Sequence, residues 1–161
     1  MNKEILFRGK RVDNGEWVYG FLRCRNYIDE WTWIPHTWEE DDRSKGEYST
    51  VKSYQVDHKT VGQFTGLTDK NYKKIFEGDI LKIVSSVKGG LVENTRFFES
   101  EKRIDYAVVL QDDKTGGYRL NVYNKGKYKR NSEFTRGNLI CYEAEVIGNI
   151  YDNPELLYNG D

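Results

Sequence analysis

Asn14-Gly15 sits between two runs of alternating polarity, "KEILFRGKRVD" and "EWVYGFLRC". No other short feature constrains this chain as strongly. A two-residue type I′ turn needs positive φ at both central residues, and Asn-Gly tolerates that best. Such a turn sets the register of the ribbon. On one side Val12 faces Trp17, Lys10 faces Tyr19 and Arg8 faces Phe21. On the other, Arg11 faces Val18, Phe7 faces Leu22 and Ile5 faces Cys24, with Gly9 meeting Gly20. The second side is aliphatic and reads as core. The first sets rings against cations, which suits a half-covered surface with cation–π contacts.

The rest of the chain continues in short extended pieces. No long segment carries a 3.6-residue apolar period, so the fold class is mainly β, a barrel or a sandwich. Ile28, Glu30, Thr32 and Ile34 alternate with Asp29, Trp31 and Trp33, and Pro35 ends that strand or marks an edge. "TVKSYQV" is a further short strand. In "VGQFTGLTDKNYKKIFEGDILKI", Val61–Ile83, two extended segments flank a turn at Asp69–Tyr72, and Gly78-Asp79 leads into a third. Asn71 can reverse that turn in the left-handed region. Gly78 frees the backbone at the second corner, and Asp79 can bond nearby N–H groups. Nothing nearby offers Asp79 a base or a metal partner, so its expected role is structural.

Strands are also expected in "IDYAVVLQ" and "GYRLNVY", joined by a turn at Asp112–Gly116. Lys88–Arg103 reads as an insertion or a long hairpin, and Asn124–Asn138 as a basic loop. "CYEAEVIGNIY" is the last strand. A short helix follows in "DNPELL", with Asn153 as its cap and Pro154 in its first turn. The best boundary in the chain is Asp57–Thr60.

Composition narrows function more than fold. Twenty-five basic and 26 acidic residues leave a net charge of −1, without the basic excess of a general nucleic-acid coat. Aromatic residues make up 14%, which argues against disorder. The start "MNKEILFRGK" places charges where a signal peptide needs an apolar run, so none is expected, and no segment is long and apolar enough to span a membrane. Cys24 and Cys141 form no C-x-x-C pair and read as reduced thiols in a cytoplasmic protein.

Catalysis and cofactors are not expected. His36, His58, Cys24 and Cys141 lack metal-ligand spacing. There is no G-x-S-x-G motif and no phosphate-binding glycine loop. Two groups of residues remain as candidates. Trp17, Tyr19, Phe21, Trp31, Trp33 and Trp38 could receive a protein partner, with Glu39–Asp42 alongside. Lys125, Lys127, Tyr128, Lys129, Arg130 and Arg136 interleave cations and rings in a way that suits single-stranded nucleic acid. The alternatives are buried rings and a solvated hairpin tip. The expected partner is a second copy of the chain, or a phage or host protein. Nucleic acid is the second choice.

Three stretches in the same order, "ILFRGKRVDNGEWVYGFL", "QFTGLTDKNYKKIFEGDILKI" and "EVIGNIYDNPELL", resemble the YopX family of phage- and prophage-encoded proteins. The motif glycines and turn residues are Gly66, Asn71, Gly78 and Asp79. The resemblance implies an SH3-like barrel over 61–161, an N-terminal β-hairpin elaboration over 1–60 and a short C-terminal helical turn. It also implies expression in a bacterial cytoplasm. It supplies no biochemical role and no functional residues. One departure stands out: the family turn reads Asp-Lys-Asn-Gly, and Tyr72 occupies the glycine position. Either Asn71 takes the positive φ alone, or Tyr72 is strained, or the turn differs.

Overall fold

A computed structural model describes residues 5–27, 30–37, 52–86, 102–124, 127–133 and 143–158. For 23–27, 30–37, 52–53, 85–86, 102, 130–131 and 133 it describes the backbone alone. The chain divides into two compact units, Met1–Gly66 and Leu67–Asp161. As expected, the described structure is mainly β, with two antiparallel sheets.

In the first unit, β1 (Phe7–Lys10), β2 (Trp17–Tyr27), β3 (Glu30–Thr37), β4 (Lys52–Ser53) and β5 (Gly62–Thr68) are ordered β4-β3-β2-β1-β5. The β1–β2 ribbon forms where the sequence places it, but its register is shifted by two. Phe7 pairs with Gly20, Arg8 with Tyr19, Gly9 with Val18 and Lys10 with Trp17. The loop is four residues long rather than two. Arg11 N–H donates to the Glu16 carbonyl, and Gly15 N–H to the Arg11 carbonyl. Gly15 takes a positive φ of 74°, whereas Asn14 does not. Side-chain bonds explain the choice. Asn14 Oδ1 accepts from Glu16 N–H at 3.0 Å, and the Arg11 guanidinium forks onto the Asp13 carboxylate. A type I′ turn would forgo both. The Arg11 hydrogen bond lowers the pKa of Asp13, and its counterpart raises that of Arg11.

A shift of two preserves which residues share a face. Gly9 therefore still lies on the aliphatic side, packed under Val56. A Cβ on Gly9 would come within 3.0 Å of the valine side chain. The chain after Val56 is tied back to β1. Thr60 Oγ1 accepts from Lys10 N–H at 2.8 Å, and a 3-10 turn at His58–Thr60 is capped by Asp57.

β5 passes through the unit boundary and turns at Asp69–Lys73 into β6 (Lys74–Phe76). The second unit's sheet comprises β7 (Asp79–Ser86), β8 (Lys102–Gln111), β9 (Tyr118–Asn124), β10 (Lys127–Glu133) and β11 (Glu143–Asn149), ordered β10-β9-β8-β7-β11. The segment expected as a basic loop supplies β10, paired with β9 through Tyr128–Tyr123 and Asn131–Asn121. Among the described residues no pairing joins β10 to β11, so the hydrogen-bonded ladder does not close into a barrel.

The sheet is apolar on both faces. Ile75, Leu81, Ile83, Ala107, Val109, Leu120, Val122, Ala144 and Val146 form one cluster. Ile80, Val108 and Leu157 form the other, with Tyr106, Leu110, Tyr123, Ile147, Ile150 and Leu156 packed against it. This explains the unbroken run "YAVVL" in β8, since a strand covered on both sides has no polar alternation. Each fully buried aliphatic side chain contributes about 1.5–3 kcal/mol of transfer free energy.

The C-terminal turn is a 3-10 turn at Pro154–Leu157, and Leu156 and Leu157 close the second cluster. Asn153 does not cap it with its side chain; its carbonyl accepts from Leu156 N–H. Asn149 is the residue whose side chain organises this end, accepting from Tyr151 and Asp152 N–H. Gly78-Asp79 is a corner, as expected. Gly78 has φ 81°, and Asp79 Oδ2 accepts from Phe76 N–H at 2.8 Å.

Two outcomes are expected. Gly78→Ala places a Cβ at positive φ and 3.1 Å from the Tyr151 ring. It should lower stability by about 1–3 kcal/mol, read as a shift in the urea midpoint at constant slope. Burial beside the first cluster raises the Tyr118 pKa, with Glu77 adding to the effect. Above pH ~10 the folded state then holds more protons than the unfolded one, and stability falls as pH rises. Tyr118→Phe should flatten that alkaline slope.

Candidate functional site

The ribbon face holding the expected rings has a definite geometry. Alternate residues of β2 lie about 6.5–7 Å apart on one face, so Trp17, Tyr19 and Phe21 form a row. The Arg8 guanidinium stacks over Trp17 at 4.7 Å and the Lys10 ammonium approaches it at 5.9 Å. Arg8 is buried and Trp17 half-buried, so this end of the row is a finished packing element. Tyr19 and Phe21 differ: they are 46% and 50% exposed. An exposed phenyl ring beside an exposed phenol is costly to hydrate, and such pairs mark contact surfaces.

Trp31 and Trp33 are not in that row. Trp33 is registered opposite Cys24 and Trp31 opposite Asn26, whereas Phe21 is opposite His36. Trp31 and Trp33 therefore occupy the alternate positions, those of the other sheet face. Trp38 lies outside the described residues.

Lys127, Tyr128 and Lys129 are exposed along the edge strand β10. Tyr128 meets Tyr123 edge to face, with centroids 6.0 Å apart and planes at 74°. Lys129 is the extra residue of a bulge between Tyr128 and Arg130. Lys125 and Arg136 lie outside the described residues.

The turn after β5 is more elaborate than its sequence suggests. Asp69 is buried, and its Oδ1 accepts from Asn71 N–H at 2.7 Å and Lys73 N–H at 2.9 Å. Its Oδ2 accepts from Val146 N–H at 3.0 Å, in β11. Lys70 N–H donates to the Ala144 carbonyl, and the Lys70 ammonium pairs with Glu145 at 2.7 Å. The Glu145 hydrogen bond raises the Lys70 pKa. On this anchored base, Tyr72, not Asn71, takes the left-handed conformation, with φ 63°. Its side chain is 88% exposed. Gly66, within β5, also has positive φ, at 84°.

The buried carboxylates are engaged in holding the fold. Asp69 and Asp79 accept backbone N–H groups, and Asp105 receives Arg103 and Asn124. Among the described residues no group of three or more His, Cys, Asp or Glu is placed to hold a metal ion. Nor is any helix there long and apolar enough to cross a membrane.

A family model described as YopX protein matches residues 6–158. No curated protein matches the chain. Among solved structures, the crystal structure of protein EF1440 from Enterococcus faecalis is similar, with a TM-score of 0.51 and 20% identity. The match covers 97% of this chain and 99% of that one. At such identity the likeness shows the fold alone.

Tyr72→Gly removes a Cβ from a conformation that costs a non-glycine residue about 1–2 kcal/mol. The added freedom of the unfolded chain offsets part of that gain. The variant should be more stable by about 0.5–1 kcal/mol, visible as a higher melting temperature.

Proposed function

The chain belongs to the YopX protein family, and from that premise we propose that it is a phage- or prophage-encoded, non-catalytic interaction protein. It associates with a second copy, or with a phage or host protein, through the ribbon face of Tyr19 and Phe21. The observation that carries this reading is their joint exposure beside Trp17, which Arg8 and Lys10 hold in place. Exposed rings on a braced strand lose little conformational entropy on docking, which is why aromatic residues dominate contact energies. The use of Asp69, Asp79 and Asp105 as structural acceptors supports the absence of catalysis.

The SH3-like reading of the second unit belongs to the same proposal. It is supported by the antiparallel order β10-β9-β8-β7-β11 and by the one apolar cluster that β7, β8, β9 and β11 share. Single-stranded nucleic acid at β10 is the second reading, supported by the exposure of Lys127, Tyr128 and Lys129 in sequence.

Molar mass by light scattering across a concentration series tests the main reading. Wild type should exceed the monomer mass of 19.0 kDa, and Tyr19→Ser with Phe21→Ser should return it to the monomer with unchanged melting. A double variant that assembles like wild type removes the ribbon face as the interface.

A further inference from the structure

The loop between β1 and β2 holds a chemically fragile pair. In an unstructured chain, asparagine followed by glycine is prone to deamidate, because no Cβ on the second residue hinders its nitrogen. The Gly15 nitrogen gives its proton to hydroxide and attacks Asn14 Cγ. An N–Cγ bond forms, the Cγ–Nδ2 bond breaks, and the amide nitrogen takes up a proton and leaves as ammonia. Water then opens the five-membered succinimide at either carbonyl, giving aspartate or isoaspartate. No oxidant or reductant takes part.

Burial does not protect this pair. Asn14 and Gly15 are exposed, as are Asp13 and Glu16, so water and hydroxide reach them. Hydrogen bonds, however, engage every group that reacts. Gly15 N–H, whose proton must be lost, donates to the Arg11 carbonyl at 3.0 Å. Asn14 Oδ1 accepts from Glu16 N–H at 3.0 Å, and Asn14 Nδ2, the leaving nitrogen, donates to Glu16 Oε2 at 2.7 Å. Attack has to give up these contacts. It also puts negative charge on a nitrogen that faces the Arg11 carbonyl oxygen. Arg11 brings one positive charge to the loop and Asp13 with Glu16 two negative ones, so the net charge opposes that anion. The Glu16 carboxylate is itself placed by Arg11, at 3.6 Å, and the Arg11 guanidinium stacks over Tyr54 at 4.4 Å.

We propose that Asn14-Gly15 is a latent deamidation site, kept intact in the folded protein by this hydrogen-bonded loop, with Glu16 as the residue that holds the Asn14 carboxamide. The bonds that displace the type I′ turn thus also protect its sequence. Conversion would undo them, because aspartate and isoaspartate have no Nδ2 to donate and set a second carboxylate against that of Glu16. The inference is independent of what the ribbon face binds.

Peptide mapping by mass spectrometry, with isoaspartate separated by retention time, reads conversion at position 14. The full chain is incubated at mildly alkaline pH in buffer and in concentrated guanidinium chloride. Native Asn14 should convert at least about 10-fold more slowly than denatured Asn14, the scale set by giving up several hydrogen bonds. Glu16→Ala should speed native conversion about 3-fold or more. Glu16→Gln, whose side-chain oxygen still accepts from Nδ2, should stay closer to wild type. Asn159-Gly160, the other Asn-Gly pair in the chain, is the reference in each digest and should convert alike in all three native proteins. The inference is overturned if Asn14 converts equally fast in native and denatured chains, or if Glu16→Ala is no faster than wild type. It is also overturned if Glu16→Ala speeds both pairs alike, which would report loss of the fold rather than of one contact.

Discussion

A buried carboxylate has to find donors, and at Asp69 they are the backbone N–H groups of Asn71, Lys73 and Val146. Charge-assisted bonds of this sort are about twice as strong as neutral ones, and a lost partner strands a charge in the interior. One side chain therefore shapes a tight turn and fixes it to β11, a strand that lies 77 positions further along the chain. β11 is in turn hydrogen-bonded to β7, and β7 to β8. Both apolar clusters draw on those three strands. The position of the turn and the closure of the core are therefore two results of the same contact.

The Gly78 corner works toward the same end. Gly78 N–H donates to the Val109 carbonyl, and its own carbonyl accepts from Ile150 N–H. It thus links the start of β7 to β8 and to the end of β11. With the backbone satisfied at both corners, the strands between them are free to be apolar on both faces. The proposed contact residues, the rings of β2 and the edge strand β10, lie outside this framework.

Much of this framework was legible in the sequence, because strand period and turn chemistry are local. The β character, the turns at Asp69–Tyr72 and Asp112–Gly116 and the Gly78-Asp79 corner all follow from residues a few positions apart. The YopX resemblance was carried by the same motifs. What was not legible depends on choices between competing local bonds, or on distant partners. The hairpin register turned on whether Asn14 would adopt positive φ or spend its side chain on Glu16. The sequence of β10 reads as a loop because an edge strand rich in Lys has no apolar alternation to reveal it. The separation of Trp31 and Trp33 from Phe21 required the β2–β3 register. The strain at Tyr72 could be posed as a question from sequence, but only the turn's geometry answers it.

The bulge at Lys129 bears on how copies of this chain could join. An uninterrupted border strand offers its amides to any neighbour and invites endless stacking into fibres. Here the border is interrupted by the unpaired Lys129 and carries exposed ammonium groups at Lys127 and Lys129. Growth by extending the ladder at that border is disfavoured. An assembly through the ribbon face would instead rest on side-chain contacts, which close into a countable particle when both copies use the same patch.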